Sequence, residues 1–502
     1  MPEINLAAID GSAPDNKALA ENAHPPSWTN PKPATIYDLA IIGAGPAGLF
    51  AAKAAARLGK SVALIERNYL GGNSLIAGSV PSKALIRTSR WYADVRDAEK
   101  FGALKGEPLD PNFSAALKRM RRIRARLSGY NSVKRLRAAG VDVFFGDAKF
   151  VGSDSVMVEG ARLKFKKALI AAGARPTLSS IPGLDEAGYF TSDTIFEITK
   201  RPNRLLIIGG GPIGCEMAQA FQRLGVRVLI VQNEPKFLPL EERDAAQLLS
   251  DALARSGVEI HLNTTVTAVR SGNGTKFVDL VSNENQNTVV VDEILSGVGR
   301  QPNVEGLGLE AAGIAYDPVH GITVDEFLQT SNSSVYAAGD VCMEYKFTHA
   351  AEAYADVAFQ NALLSGTEKQ SCLTVPWCTY TDPEIAHVGL YVWQAREKSI
   401  PVSTITILMN DVDRAILDGE EDGFVKIHVK DGTDEILGAT IVCRQAGEMI
   451  GSIALAMNAG LGLRMFAKGI VPYPTRSIAM KMAAEAFEQT NVASPVDVMR
   501  QP

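Results

Sequence analysis

An α/β protein built from two parallel-sheet domains and a third, α+β domain is predicted by three features of the sequence. A strand, glycine turn, helix, strand pattern occurs twice, and an alternating apolar and polar texture begins near residue 370. The third feature is length, because 502 residues exceed what one hydrophobic core usually serves. With 46% apolar residues, 21% charged residues and 44 glycines, the chain reads as globular and turn-rich. A formal net charge of −5 argues against bulk nucleic-acid binding. No apolar run reaches the roughly 18 residues that a membrane-spanning helix needs.

Residues 1–36 lack a basic start followed by an apolar run and are rich in Pro, Asn, Asp and Ala. They read as a flexible tail, neither a signal nor a transit peptide. The strand Tyr37-Asp38-Leu39-Ala40-Ile41-Ile42 then leads into Gly43-Ala44-Gly45-Pro46-Ala47-Gly48, an alanine-rich helix, and a second strand ending at Glu66. This is the order of a Rossmann-like dinucleotide fold. Gly43, Gly45 and Gly48 let the backbone approach a pyrophosphate at the helix N-terminus, and Glu66 stands where an acid accepts ribose hydroxyls. The pattern recurs with Gly209, Gly211 and Gly214 between Leu205-Leu206-Ile207-Ile208 and Val226-Arg227-Val228-Leu229-Ile230-Val231, with Gln232 at the ribose position. Two dinucleotides in one chain imply electron transfer between them, and FAD with NADH or NADPH is the natural pair. Gln232 leaves the choice of nicotinamide cofactor open. Glu234 favours NADH by repelling a 2′-phosphate, whereas Arg227 and Lys236 offer the opposite.

The segment Gly71-Gly72-Asn73-Ser74-Leu75-Ile76-Ala77-Gly78-Ser79-Val80-Pro81-Ser82-Lys83 closely resembles the active-site helix of the flavoprotein disulfide reductases. That group includes dihydrolipoamide dehydrogenase, glutathione reductase and mercuric reductase. Its run Gly-Gly-Thr-Cys-x4-Cys-x-Pro-Ser-Lys carries two cysteines beside the flavin. The resemblance extends over roughly residues 37 to 488 and assigns roles residue by residue. Gly72 and Asn73 belong to the cofactor site, and Asp340, in Ala337-Ala338-Gly339-Asp340, inherits a hydrogen bond to the ribitol chain. Gly173 and Gly299 lie in hinge segments. Lys83 lies beside flavin N5, with Glu216 as its ionic partner near the nicotinamide. The implied organisation is a discontinuous FAD domain (37–178 and 298–365), an NAD(P) domain (179–297) and a dimerisation domain (366–489), with a C-terminal tail (490–502). Thr381-Asp382-Pro383-Glu384 and Ala446-Gly447-Glu448 resemble that dimerisation domain, which implies a homodimer. The alternation in Gly423-Phe424-Val425-Lys426-Ile427-His428-Val429 suggests its antiparallel sheet.

Two departures from the family define the expected function. Ser74 and Ser79 replace both cysteines, and a serine hydroxyl can neither form a disulfide nor act as a thiolate. Where the family carries His-Pro-Thr-x-Ser-Glu, this chain has Tyr473-Pro474-Thr475-Arg476-Ser477-Ile478, so the acid/base pair serving the thiols is gone as well. The expectation is an oxidoreductase that passes electrons from reduced flavin straight to a small acceptor, foremost a quinone, in a pocket lined by Ser74, Ser79 and the partner chain's residue at position 473. The alternatives are a redox-silent FAD/NAD(P)H sensor or assembly component, and an electron donor to a partner redox protein or dithiol. Five scattered cysteines show no metal-ligand or C-x-x-C spacing, so no metal is expected and a reducing cytoplasm is the simplest setting. Cys215 and Cys342 lie next to dinucleotide motifs and either could approach a cofactor, so an intrachain thiol could act, for example, through Cys342. The acid-free basic stretch 118–137 suggests contact with a membrane surface or an acidic redox partner, or simply a solvated face.

Overall fold

The computed structural model describes residues 13–282, apart from 105, 107 and 108, and residues 285–492. They form two compact units, one holding residues up to Gly209, Ala220–Val231 and Thr264–Leu373, the other Gly210–Gln219, Gln232–Asn263 and the chain from Thr374 onward. Residues 179–297, expected as one domain, are distributed over both units.

In the first unit the N-terminal segment departs from expectation. Residues 14–36 are a docked arm and not a free tail, beginning with helix α1 (Pro14–Ala23). Its Leu19 and Ala23 are each 1% exposed, and Asn22 Nδ2 donates to Ser128 Oγ at 3.0 Å. The composition concealed this because the arm is held as much by asparagine amides as by apolar side chains. The expected C-terminal tail lies, from residue 493, outside the described residues; before it the helix Ile478–Val492 continues to its start.

The main sheet of this unit has β1 (Tyr37–Ile42), β2 (Val62–Glu66) and β3 (Val141–Phe145) in the parallel order β3-β2-β1. The crossover helix α2 (Pro46–Arg57) opens on a proline at its first turn, where the missing N–H costs nothing, and buries Ala51, Ala52 and Ala55. An antiparallel meander, β4 (Lys149–Gly152), β5 (Ser155–Val158) and β6 (Ala161–Ile170), joins through β6. Residues 161–164 of β6 pair antiparallel with β5, while Phe165 to Ile170 run parallel to β1 and, over Ala168–Ile170, to the strand Val335–Ala337. Ala168, Leu169 and Ile170 are accordingly buried, as a parallel strand covered on both faces requires. A second parallel sheet pairs Arg204–Ile208 with Arg227–Val231 on one side and Glu293–Ser296 on the other. Arg300–Pro302 pairs antiparallel with Ala174–Pro176, the expected hinge segments.

The basic stretch is only partly a solvated face. Within the helix Phe113–Ser128, Arg119 donates to Ala84 O and Thr88 Oγ1 (3.0 Å each), and Arg121 donates to Ile198 O (3.1 Å). Arg124 is fully buried against Glu197 (2.5 Å) and Ile76 O (3.0 Å). Lys118, Arg122, Arg126, Lys134, Arg135 and Arg137 remain exposed.

The second unit contains the expected antiparallel sheet, ordered Trp377–Thr379, Glu384–Gly389, Ile436–Cys443, Phe424–Lys430, Val402–Leu408. The polar face of Phe424–Lys430 is partly covered. Lys426, half-buried, and His428, buried, each meet Glu242 at 2.9 Å, while Lys430 remains exposed. Burial pushes the Glu242 carboxyl up, but His428 and Lys426 outweigh it and hold the pKa at about 2. Burial drives His387 down to about 3; its ring stacks on Tyr391 at 3.6 Å, with Nε2 3.1 Å from the Gly389 carbonyl, so Nε2 carries the proton and donates. Both pKa values lie below those of the unfolded chain. The stabilisation from His387 is complete above about pH 6.5 and falls as the pH drops toward 3, and that from Glu242 is lost from about pH 4.5 downward. Thermal unfolding followed by near-ultraviolet dichroism should therefore shift to lower temperature below pH 6.5. In His387→Phe the loss of stability between about pH 6.5 and 4.5 should shrink to the part contributed by His24, whose pKa burial also lowers; an undiminished loss over that range would refute the assignment to His387.

Candidate functional site

The first glycine turn is built so that its backbone can be approached. Gly43 has φ +102°, and a Cβ there would sit 2.2 Å from Ala171 O; a Cβ at Gly48 would sit 1.9 Å from Gly43 O. Those two glycines are required by packing inside the fold. Gly45 differs, since nothing lies within 4 Å of its Cβ direction and α2 starts at the next residue. Its open backbone at a helix N-terminus suits a phosphate. Gly72 comes close to the same turn, and a Cβ on it would meet Gly45 Cα at 2.7 Å.

Glu66 is buried at the end of β2, where Oε2 accepts from Ala44 N at 2.7 Å and Oε1 from Asn68 N at 2.8 Å. Burial pushes its pKa up and the two amides oppose that shift. Each carboxylate oxygen keeps a second lone pair for a ribose hydroxyl. Asp340 follows Gly339 (φ +84°) and receives no hydrogen bond from another side chain among the described residues. Burial pushes its carboxyl up, with Arg300 and Lys346 pulling it back. A largely buried acceptor and an open phosphate-sized turn are what an FAD ribitol and pyrophosphate need, so these residues fit the cofactor.

Ser74 and Ser79 stand together through a third hydroxyl. Ser74 Oγ lies 2.6 Å and Ser79 Oγ 3.2 Å from Thr348 Oγ1, at the start of the helix Thr348–Leu363. Nothing in the local sequence marks Thr348, which is 274 residues from Ser74. Asn73, one residue before Ser74, directs its amide oxygen at Arg300 (2.7 and 3.0 Å) and its nitrogen at Asp193 (3.3 Å). Arg300 also pairs with Asp193 at 2.9 Å and donates to Ala174 O at 2.5 Å. Arg300 adjoins the hinge residue Gly299, and its bonds to Asn73 hold the serine-bearing helix Gly72–Ile76. Gly173 (φ +69°) and Gly299 (φ +111°) occupy the two hinge segments, in the left-handed region that favours glycine. Lys83 is half-buried on the helix Ser79–Arg96, four residues after Ser79 and on the same face. Cys342 is packed with its thiol pushed far up by burial, so it stays protonated.

At the second turn, Gly209 has φ +106° and a Cβ there would meet Gly297 O at 2.6 Å. In the second unit Gly211 is open, and Gln232 Oε1 accepts from Gly210 N at 2.8 Å, in the manner of Glu66 and Ala44. The amide NH2 of Gln232 remains to donate. Arg227 is exposed at the start of its strand. Glu234 and Lys236 are both exposed. Gly214 lies in the helix Pro212–Arg223 with Glu216, which is 5% exposed and accepts from Tyr380 N at 2.9 Å. Tyr473 is 72% exposed, and its hydroxyl donates to Asp413 Oδ2 at 2.8 Å. No helix among the described residues is long and apolar enough to cross a membrane, and no group of three His, Cys, Asp or Glu among them could hold a metal ion.

Comparison with known proteins identifies the family. Residues 37–355 match the pyridine nucleotide-disulphide oxidoreductase model and residues 375–484 match that family's dimerisation domain. Mercuric reductase from Lysinibacillus sphaericus is 33% identical over 453 residues, covering 90% of this chain and 83% of its own. Glutathione reductase from Burkholderia cepacia is 34% identical over 427 residues, covering 84% and 93%. The solved structure of LpdA from Mycobacterium tuberculosis superposes with a TM-score of 0.83 at 27% identity, over 90% of this chain and 100% of its own. The chain belongs to the pyridine nucleotide-disulphide oxidoreductase family, whose members use FAD and NAD(P)H.

Proposed function

We propose that this protein is an FAD-dependent NAD(P)H oxidoreductase that passes electrons from reduced flavin directly to a non-disulfide acceptor, with a quinone as the best-fitting class. The observation carrying this reading is the hydroxyl trio of Ser74, Ser79 and Thr348 at the position where the family resemblance puts a redox disulfide. When bound, FAD supplies the relay between nicotinamide and acceptor. Gly43, Gly45, Gly48, Glu66, Gly72, Asn73, Gly173 and Asp340 hold it. Gly209, Gly211, Gly214, Gln232 and Gly299 serve the nicotinamide nucleotide. Lys83 and Glu216 are the charged residues that serve hydride transfer, and Tyr473 serves the partner subunit's site in a homodimer. Neutral hydroxyls can donate to a quinone carbonyl without forming a covalent adduct.

The test is an anaerobic titration with NADH, then NADPH. One equivalent of either nucleotide per flavin should bleach the yellow protein without a thiolate charge-transfer band, and menadione should restore the colour. Demand for a second equivalent, with long-wavelength absorption, would establish a thiol centre and overturn the reading; failure of both nucleotides to bleach would leave a redox-silent sensor. Cys342→Ser should retain full quinone turnover, since its buried thiol is not expected to take part.

A second reading, delivery to an acidic redox partner, is favoured by exposed Lys118, Arg122 and Arg126 at four-residue spacing on one helix face. Docking there makes turnover fall steeply as salt rises, whereas reduction of a neutral quinone is nearly salt-independent.

A further inference from the structure

β3 is the edge strand of the first unit's main sheet, so its last residue, Phe145, would present bare backbone groups. The side chain of Asn30 satisfies both: Phe145 N donates to Asn30 Oδ1 and Asn30 Nδ2 donates to Phe145 O, each at 2.8 Å. Asn30 is itself oriented by Trp28 Nε1 at 3.1 Å, and the guanidinium of Arg137 lies 5.5 Å above the Trp28 ring. His24 stacks on the Phe145 ring, with centroids 3.9 Å apart and planes 9° from parallel. Its Nδ1 is 2.5 Å from Asn68 O; a carbonyl only accepts, so Nδ1 carries the proton. Leu70 N donates to Ala23 O at 3.0 Å.

These contacts converge on Glu66 without touching its carboxylate. Phe145 is its cross-strand partner, and Asn68 and Leu70 follow it in the chain. Asn68 N donates to Glu66 Oε1, and Gly71 N donates to Ala44 O at 2.8 Å within the first glycine turn. The loop from Glu66 to Gly72 thus carries the ribose acceptor at one end and the start of the serine-bearing helix at the other, and the arm grips its middle. We propose that residues 14–36 are a clamp that fixes the adenosine end of the FAD site, with Asn30 and His24 as positioning residues that hold Glu66 and the Asn68–Gly71 loop in register with the glycine turn. The inference rests on the assignment of FAD to the first glycine turn. Linkage requires the converse, that bound FAD holds the arm in place.

The experiment titrates FAD into apoprotein by quenching of flavin fluorescence, for the unaltered chain and for Asn30→Ala and His24→Ala combined. Affinity for NAD+ is measured on the same samples. Loss of the three hydrogen bonds that Asn30 and His24 make to Phe145 and Asn68 should raise the FAD Kd at least about tenfold, with the NAD+ Kd within about twofold of its starting value. An FAD Kd changed less than about twofold, or equal weakening of both ligands, overturns the clamp. Should the variant not fold, hydrogen exchange on the unaltered protein decides: adding FAD should slow exchange at the Leu70 and Phe145 amides and in residues 19–30, and no slowing there refutes the proposal. Failure of the unaltered chain to bind FAD would instead strike the assignment on which the clamp rests.

Discussion

Arg300→Leu is expected to lose about 3–5 kcal/mol of stability and most of its bound FAD in one step. Arg300 lies with Asp193 in a nearly dry setting, the two side chains 10% and 13% exposed, so its removal leaves a carboxylate with little water to replace the pair. The same guanidinium donates to Ala174 O in the hinge and orients the Asn73 amide at the head of the serine-bearing helix. It is also the foremost charge pulling Asp340 down against burial, so without it that carboxyl shifts further up and becomes a poorer anionic acceptor for a ribitol hydroxyl. Arg300→Lys keeps the charge but not the planar fork and should recover part of the flavin content, with less of the stability. Urea unfolding with flavin absorbance as a second probe measures both. A leucine variant that keeps its flavin and unfolds within about 1 kcal/mol of the unaltered protein would show that the pair is dispensable.

What could be read from the sequence was local, and what could not was assembled over distance. The glycine turns declared themselves because one residue type answers one steric demand, as at Gly43 and Gly48. Glu66 and Gln232 were found by their spacing from those turns, and both accept a backbone amide of their own turn. By contrast Asn73, Asp193 and Arg300 come from three distant segments, and no pairwise pattern in the chain links them. Thr348 is equally anonymous, a threonine opening an ordinary helix. The arm was missed for a different reason. Low hydrophobicity reads as inability to pack, yet Asn16, Asn22 and Asn30 are all bonded to other side chains or backbone in the docked state. In Phe424–Lys430 the period of two is real, but alternation distinguishes apolar from polar faces, not dry from wet ones, and Glu242 covers part of the second face by meeting Lys426 and His428.

Lys83→Met should slow flavin reduction by NADH by about 10²–10³-fold, while flavin content and quinone reoxidation change little. Lys83 lies one helical turn beyond Ser79, so its ammonium rises on the face that also carries the hydroxyl trio. A fixed positive charge there favours the negative charge that a flavin gains with a hydride, and it does so without reorganisation because the stem is half-buried. Glu216→Gln removes the carboxylate charge while its amide oxygen can still accept from Tyr380 N, so it tests charge apart from shape. Thr348→Val is the complementary variant. It deletes the hydroxyl linking Ser74 to Ser79 and should raise the quinone KM while leaving the NADH step intact. Stopped-flow measurement of the two half-reactions separates the effects. If Lys83→Met slowed both halves equally, the lysine would be acting through flavin placement; if Thr348→Val slowed reduction by NADH, the hydroxyl trio would belong to the nicotinamide side, and the acceptor would have to be sought elsewhere.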